Sequence, residues 1–113
     1  MVQTVQGTSE LQLTYANANT QNQYMNTVGS ISDNKWHHIV GIINTVSGLM
    51  SIYVDGALNT STAIPVEPII QNSDPVWIAR RYDNMFNGSI DDVRIYNRAL
   101  SANEVKQLYN LGR

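Results

Sequence analysis

The chain has 113 residues, 42% of them hydrophobic and 14% charged, with a formal net charge of −2 and no cysteine. This length suits one domain with one core, able to bury roughly 65% of its unfolded surface without staples. The charge balance argues against nucleic acid and a membrane surface as partners, and the lack of Cys excludes a disulfide scaffold and a thiolate zinc site.

The charged fraction is low for a globular chain, where about 25% is usual. Asn, Gln, Ser and Thr take the place of the missing charge. A polar but uncharged surface of this kind is common in extracellular and carbohydrate-facing domains, and the absence of Cys is compatible with a bacterial exported protein. Residues 1–16 lack a basic start and an apolar stretch, so they do not read as a signal peptide. No apolar run approaches the roughly 20 residues that insert across a bilayer.

Along the chain, short alternating runs come first, at residues 2–5 and at Leu11, Leu13 and Tyr15. The NANTQN stretch at 17–22 reads as a loop, because Asn side chains compete for backbone hydrogen bonds and tolerate turns. Residues 24–28 form a further short strand. Ser32, Asp33 and Asn34 make a turn cluster. Residues 36–44 (WHHIVGIIN) are rich in strand formers and apolar on both faces, which predicts a strand inside a sandwich rather than at its rim. Residues 49–54 (LMSIYV) run into Asp55-Gly56, the signature of a type I′ hairpin, and the return strand covers 58–63. Met50, Ile52 and Val54 then share one face, with Ser51 and Tyr53 on the other.

Pro65, Pro68 and Pro75 punctuate a longer connection. A strand is predicted at 76–80 (VWIAR) and a polar loop at 81–85. Phe86, Gly88 and Ile90 alternate on even positions, whereas Val93 and Ile95 are apolar on odd ones. A β-bulge or bend at Asp91-Asp92 would return both sets to the core. A short helix closes the chain. Ser101 and Glu104 form a capping box and Leu100 with Val105 a hydrophobic staple. Val105, Leu108 and Tyr109 form an apolar stripe, and Gly112 stands at the C-cap. With no repeat and no linker, residues 1–113 read as a single domain.

Three strings in fixed order carry a resemblance: KWHHIV at 35–40, IYVDG at 52–56 and FNGSIDDVRIYNRALS at 86–101. Together with the Ser-x-x-Glu helix they resemble the laminin-G-like jelly rolls of the concanavalin A-like superfamily, over residues 28–111. The resemblance implies an all-β fold, an antiparallel two-sheet jelly-roll sandwich with one short C-terminal helix. Relatives usually begin with further strands, one around a Phe-Asp-Gly motif and a central one ending in Trp. Neither is found here, so the chain reads as a shortened sandwich: a fragment, a naturally shortened gene product or a compact variant. The resemblance also implies that the final strand normally pairs with an N-terminal one. If that strand is missing, an open edge remains, and a homo-oligomer in which a second copy covers it is expected. The rival expectation is that residues 1–28 close the sandwich instead.

Candidate sites follow, each weighed against a plain structural role. His37 and His38, adjacent on a strand, point to opposite faces and read as strand residues rather than joint metal ligands, with His38 half-buried and hydrogen-bonded. Asp91 and Asp92 are the candidate metal ligands, with Ca²⁺ the cation that hard oxygens at a bulge would suit. Their plain reading is that one carboxylate caps the bulge or pairs with Arg94. Arg80, Arg81, Tyr82 and Asp83, with Trp77 and Tyr53, are the candidate surface for a sugar or an acidic partner, against a solvated loop, with Trp77 read as a core residue and Tyr82 as the exposed ring. A second such surface is the 17–22 loop with Tyr15 and Tyr24. Asn59 and Asn87 begin N-x-S/T strings that carry no weight here.

The superfamily includes glycoside hydrolases, which need two flanking carboxylates. Glu10, Glu67 and Glu104 are the only glutamates, and no strand carries a pair of them. With no Ser-His-Asp context, phosphate loop or Cys nucleophile, the chain does not read as an enzyme. The expectation is a non-catalytic module that binds a carbohydrate or cell-surface ligand, extracellular or on the cell surface. The alternative is a structural or protein-interaction domain that works through its own oligomer.

Overall fold

The computed structural model describes residues 2–4, 10–17, 23–71, 73, 75, 77–81 and 84–112, of which 2–4, 80, 81 and 84 by their backbone alone. Three antiparallel strands come first: β1 (Val2–Thr4), β2 (Leu11–Tyr15) and β3 (Gln23–Asn26), in that spatial order. In β2 burial alternates residue by residue. Leu11, Leu13 and Tyr15 are buried, while Gln12 and Thr14 are half-exposed, as a strand with one covered face requires. Beyond β3 the buried Thr27 continues the ladder. Its N–H donates to the Leu11 carbonyl at 2.8 Å, and its hydroxyl accepts from the Leu11 N–H at 3.0 Å.

The second sheet is β4 (Ile39–Asn44), β5 (Leu49–Val54) and β6 (Ala57–Ala63), again antiparallel in sequence order. Met50 and Ile52 of β5 are fully buried. They join Leu13, Tyr15 and Met25 of the first sheet, and Ile64, in one apolar cluster. Each sheet thus hides its apolar face against the other, which is how a sandwich satisfies the hydrophobic effect. Val54 and Ile43 pack at the rim of the cluster, so the shared face expected for Met50, Ile52 and Val54 is present.

The β5–β6 turn matches its sequence. Asp55 (φ 52°) and Gly56 (φ 79°) both have positive φ, as a type I′ turn requires. Gly56 has a second reason to lack a side chain. A Cβ there would stand 2.8 Å from Cδ1 of Tyr109 on the helix. Along β6 the pairing slips: Ile52 faces Thr60, yet Tyr53 faces Leu58. Asn59 is the extra residue of a β-bulge. Its side chain turns to the other sheet, accepting from the Val28 N–H at 2.7 Å and donating to the Val28 carbonyl at 3.2 Å. One bulged amide therefore ties the end of the first sheet to the edge of the second.

Three strand expectations change. The strand predicted from residue 36 begins at Ile39, and β4 lies at an edge while β5 takes the centre. The reason is local: His37 and His38 are bound to Asp55, and His37 and Lys35 to Asp33. The strand predicted at 76–80 is replaced by a two-residue ladder, β7 (Arg80–Arg81) with β8 (Asn84–Met85). Ala79 has a left-handed backbone (φ 62°), which an extended strand cannot pass through; Val76 lies outside the described residues. The closing strand predicted over 86–95 is not formed, and residues 86–98 are exposed without regular pairing. A kink does stand where the alternation slips, at Asp92 (φ 54°). However, the residues on either side of it join no ladder among the described residues.

The helix α1 (Ala102–Leu111) has the expected start. The Glu104 N–H donates to the Ser101 hydroxyl at 3.2 Å, and the Ser101 N–H donates to the Glu104 carboxylate at 2.7 Å. Val105 is fully buried, and Leu108 and Tyr109 are half-buried. Gly112 ends the helix without the left-handed turn expected of a C-cap glycine. At φ −83° its N–H closes a last turn on the Leu108 carbonyl.

Candidate functional site

The residues singled out from the sequence fall in separate places. Tyr53 is half-buried on β5 in the second sheet. Arg80 and Arg81 form β7 of the small hairpin, and Tyr82, next in sequence, lies outside the described residues. The second candidate surface is divided too. Tyr15 is a core residue, buried in the sandwich, while Tyr24 stands 67% exposed on β3. Of the loop between them, Asn17 is buried and residues 18–22 lie outside the described residues.

Asp91 and Asp92 adopt the plain roles weighed for them. Both carboxylate oxygens of Asp92 accept from Arg94, from Nε and from Nη2 at 3.2 Å each. An Asp91 oxygen accepts from the Asp92 N–H at 2.8 Å, holding the kink. Calcium takes roughly six to eight oxygens. Asp91 and Asp92 offer two carboxylates toward such a set, and that of Asp92 is paired with Arg94. No group of three or more His, Cys, Asp or Glu among the described residues is placed to hold a metal ion.

The densest cluster of titratable groups lies elsewhere, where the chain enters β4. His37 is not on the strand. Its Nδ1 is 2.7 Å from Oδ2 of Asp55, and its Nε2 is 2.9 Å from Oδ1 of Asp33. The other Asp55 oxygen accepts from the His38 N–H at 2.9 Å, and the Asp55 N–H donates to the His38 carbonyl at 2.8 Å. Asp33 in turn accepts from the Lys35 N–H at 3.1 Å, with the Lys35 ammonium 3.7 Å away. Hydrogen bonding to the Asp55 carboxylate, then to that of Asp33, raises His37 above its usual value. Asp33 is held below its usual range, first by its bond to His37. For Asp55, burial acts upward, but the His37 and His38 hydrogen bonds and the imidazolium charge outweigh it and lower the carboxyl.

The sequence carried a signal for this cluster. Counting back along the β4–β5 register, Asn44 faces Leu49 and Ile39 faces Val54, so the next pair is His38 with Asp55. The reading of both histidines as strand residues passed it by. His38 is half-buried as expected, and its backbone is hydrogen-bonded to Asp55, but its ring is not so satisfied. Its buried Nδ1 has no hydrogen-bond partner among the described residues, and its ring lies against Tyr109 with centroids 5.9 Å apart. Trp36, between these anchored neighbours, is 71% exposed.

A second ionic contact secures the helix start. Arg98 grips Glu104 with both guanidinium arms, at 3.0 and 2.7 Å. Those bonds and the Ser101 N–H lower the Glu104 carboxyl to about 2. Glu104 is thereby committed to structure.

Comparison with known proteins adds three findings. Among curated protein sequences none matches the chain. A crystal structure of an S-layer domain-containing protein (residues 221–444) from Clostridium thermocellum is similar in fold, with a TM-score of 0.51 at 19% identity. The similarity covers 88% of this chain and 51% of that one, so the chain spans about half the length of the solved relative. A family model of the concanavalin A-like lectin/glucanases superfamily, laminin G type, matches residues 2–106. With two packed antiparallel sheets and a capped terminal helix already in place, the chain belongs to the laminin-G-like domains of the concanavalin A-like lectin/glucanase superfamily.

Proposed function

We propose that the chain is a non-catalytic binding module for carbohydrate, part of an exported or cell-surface protein. The observation that carries this reading is a superfamily sandwich whose surface is rich in amides and hydroxyls and holds out planar rings, Tyr24 and Trp36 among them. Sugar recognition pairs an aromatic platform with a few planar polar groups. The Arg80–Arg81 hairpin with Tyr82 remains the first surface to test, with Tyr53 the second. The carboxylate inventory supports a binder over a hydrolase: Glu104 is spent on Arg98 and Ser101, and Glu10 accepts from Asn26 at 3.4 Å. The name of the S-layer relative supports a cell-surface setting. No helix among the described residues is long and apolar enough to cross a membrane.

A glycan array tests the reading. Binding to a defined sugar class, lost in Tyr82→Ala, is the expected result. A folded protein that binds no glycan, or that turns one over, would contradict it.

A second reading has its own observation. Phe86, Ile90, Val93, Ile95 and Tyr96 are exposed on a segment with no ladder. Apolar residues in such a row favour a structural or interaction domain in which a second copy adds the missing pairing. Sedimentation at micromolar concentration separates the two: a dimer or higher species favours association, and a monomer counts against it.

A further inference from the structure

We propose that Asp33, His37 and Asp55 form a pH-operated latch that fastens the turn at 33–37 to the tip of the β5–β6 hairpin and, through it, to α1. The geometry sets up a proton count. Two carboxylates approach the two nitrogens of one imidazole, at 2.7 and 2.9 Å, the range of charge-assisted bonds. A neutral imidazole has one N–H, so one carboxylate would face a ring lone pair; only the imidazolium donates to both.

Neither carboxylate is free to turn away. Asp55 is pinned through its other oxygen by the His38 N–H, and the Asp33 oxygen that meets His37 also receives the Lys35 N–H. The proton count of the ring therefore decides whether both bonds stand or only one. The His37 side chain is only 18% exposed, whereas Asp33 and Asp55 are 41% and 36% exposed. The charged and titratable groups around it, among the described residues, are Asp33 and Lys35 on the turn, Asp55 on the hairpin, His38 at the entry to β4 and Tyr109 on α1. Gly56 admits the Tyr109 ring at the hairpin tip, and the His38 ring lies tilted against that ring. The latch thus sits at a junction of three elements.

The sign follows from the raised His37 value. A group whose folded value lies above its unfolded one contributes fully below the unfolded value, about 6.5 for histidine. That contribution fades as pH rises through the folded value. The latch is closed in mildly acidic solution, where the imidazole is protonated and both carboxylates are ionised, and opens on the alkaline side of histidine's ordinary range. Opening releases the Asp33 contact and lets the turn that carries Trp36 move. This inference does not depend on the proposed ligand.

Long-range ¹H–¹⁵N NMR of the histidine rings tests the latch directly. His37 should show two protonated nitrogens at pH 6 and a midpoint above 6.5. Trp36 fluorescence, read in a Trp77→Phe background, should change with that midpoint and lose the step in His37→Gln. Asp33→Asn, which keeps the Asp55 bond, should lower the midpoint. It serves as the second variant if His37→Gln fails to fold. A midpoint at or below 6.5, one that Asp33→Asn leaves in place, or a fluorescence step that survives in His37→Gln would overturn the proposal.

Discussion

Residues 49–54 and residues 86–95 both alternate apolar and polar side chains, and the structure treats them oppositely. The first are β5, paired on both sides and with Met50 and Ile52 fully buried. The second remain exposed, with Ile95 at 78%, and are kinked at Asp92. The difference lies in what each can pair with. β5 is joined to β4 and to β6 by turns of a few residues, so its neighbours arrive at low loop-closure cost. The 86–95 segment needs a distant strand or another chain. Alternation marks a segment as fit for a sheet, but a partner makes it a strand.

The largest expected effect tests the covered side. Met50→Ala or Ile52→Ala should cost roughly 2–5 kcal/mol in urea unfolding, the usual range for emptying a packed core position. Ile95→Ala should stay within about 0.5 kcal/mol in the monomer. A cost at Ile95 that grows with protein concentration would shift the comparison toward an assembled state. Gly56→Ala comes next. A methyl group there meets both a positive φ and the Tyr109 ring, so a loss above about 1 kcal/mol is expected, with weakened packing of α1 visible by circular dichroism.

Ser101→Ala removes the helix cap and should cost about 1 kcal/mol in the same unfolding assay. The smallest effect is ionic. Glu104 has a lowered carboxyl, so its contribution is present above the ordinary value of 4.5 and fades as pH falls toward about 2. The pair is exposed to solvent, which keeps the effect small. Glu104→Gln should flatten that acid limb slightly; an unchanged limb would place the pH dependence on other carboxylates.

Much of the fold was legible in the sequence because the signals were local. Asp55-Gly56 specified its turn, Ser101 with Glu104 specified the helix start, and Leu11, Leu13 and Tyr15 specified one buried face. The misread parts depended on distant or particular backbone states. Left-handed Ala79 interrupts a run that reads as a continuous strand, and alanine does not announce that conformation; the bend at Asp92 was expected, but the sheet pairing on either side of it was not found. Of the candidate site, Arg94 on Asp92 was foreseen as the plain reading, whereas the His37 cluster was not. It joins residues 18 and 4 positions apart, and finding it required the β4–β5 register rather than a motif.

Amide hydrogen exchange on the dilute protein tests the contrast between the two segments most directly. The β5 amides, flanked by β4 and β6, should exchange slowest, and residues 86–98 should exchange nearly as fast as an unstructured chain. Protection across 86–98 equal to that of β5 in a dilute monomer would contradict it.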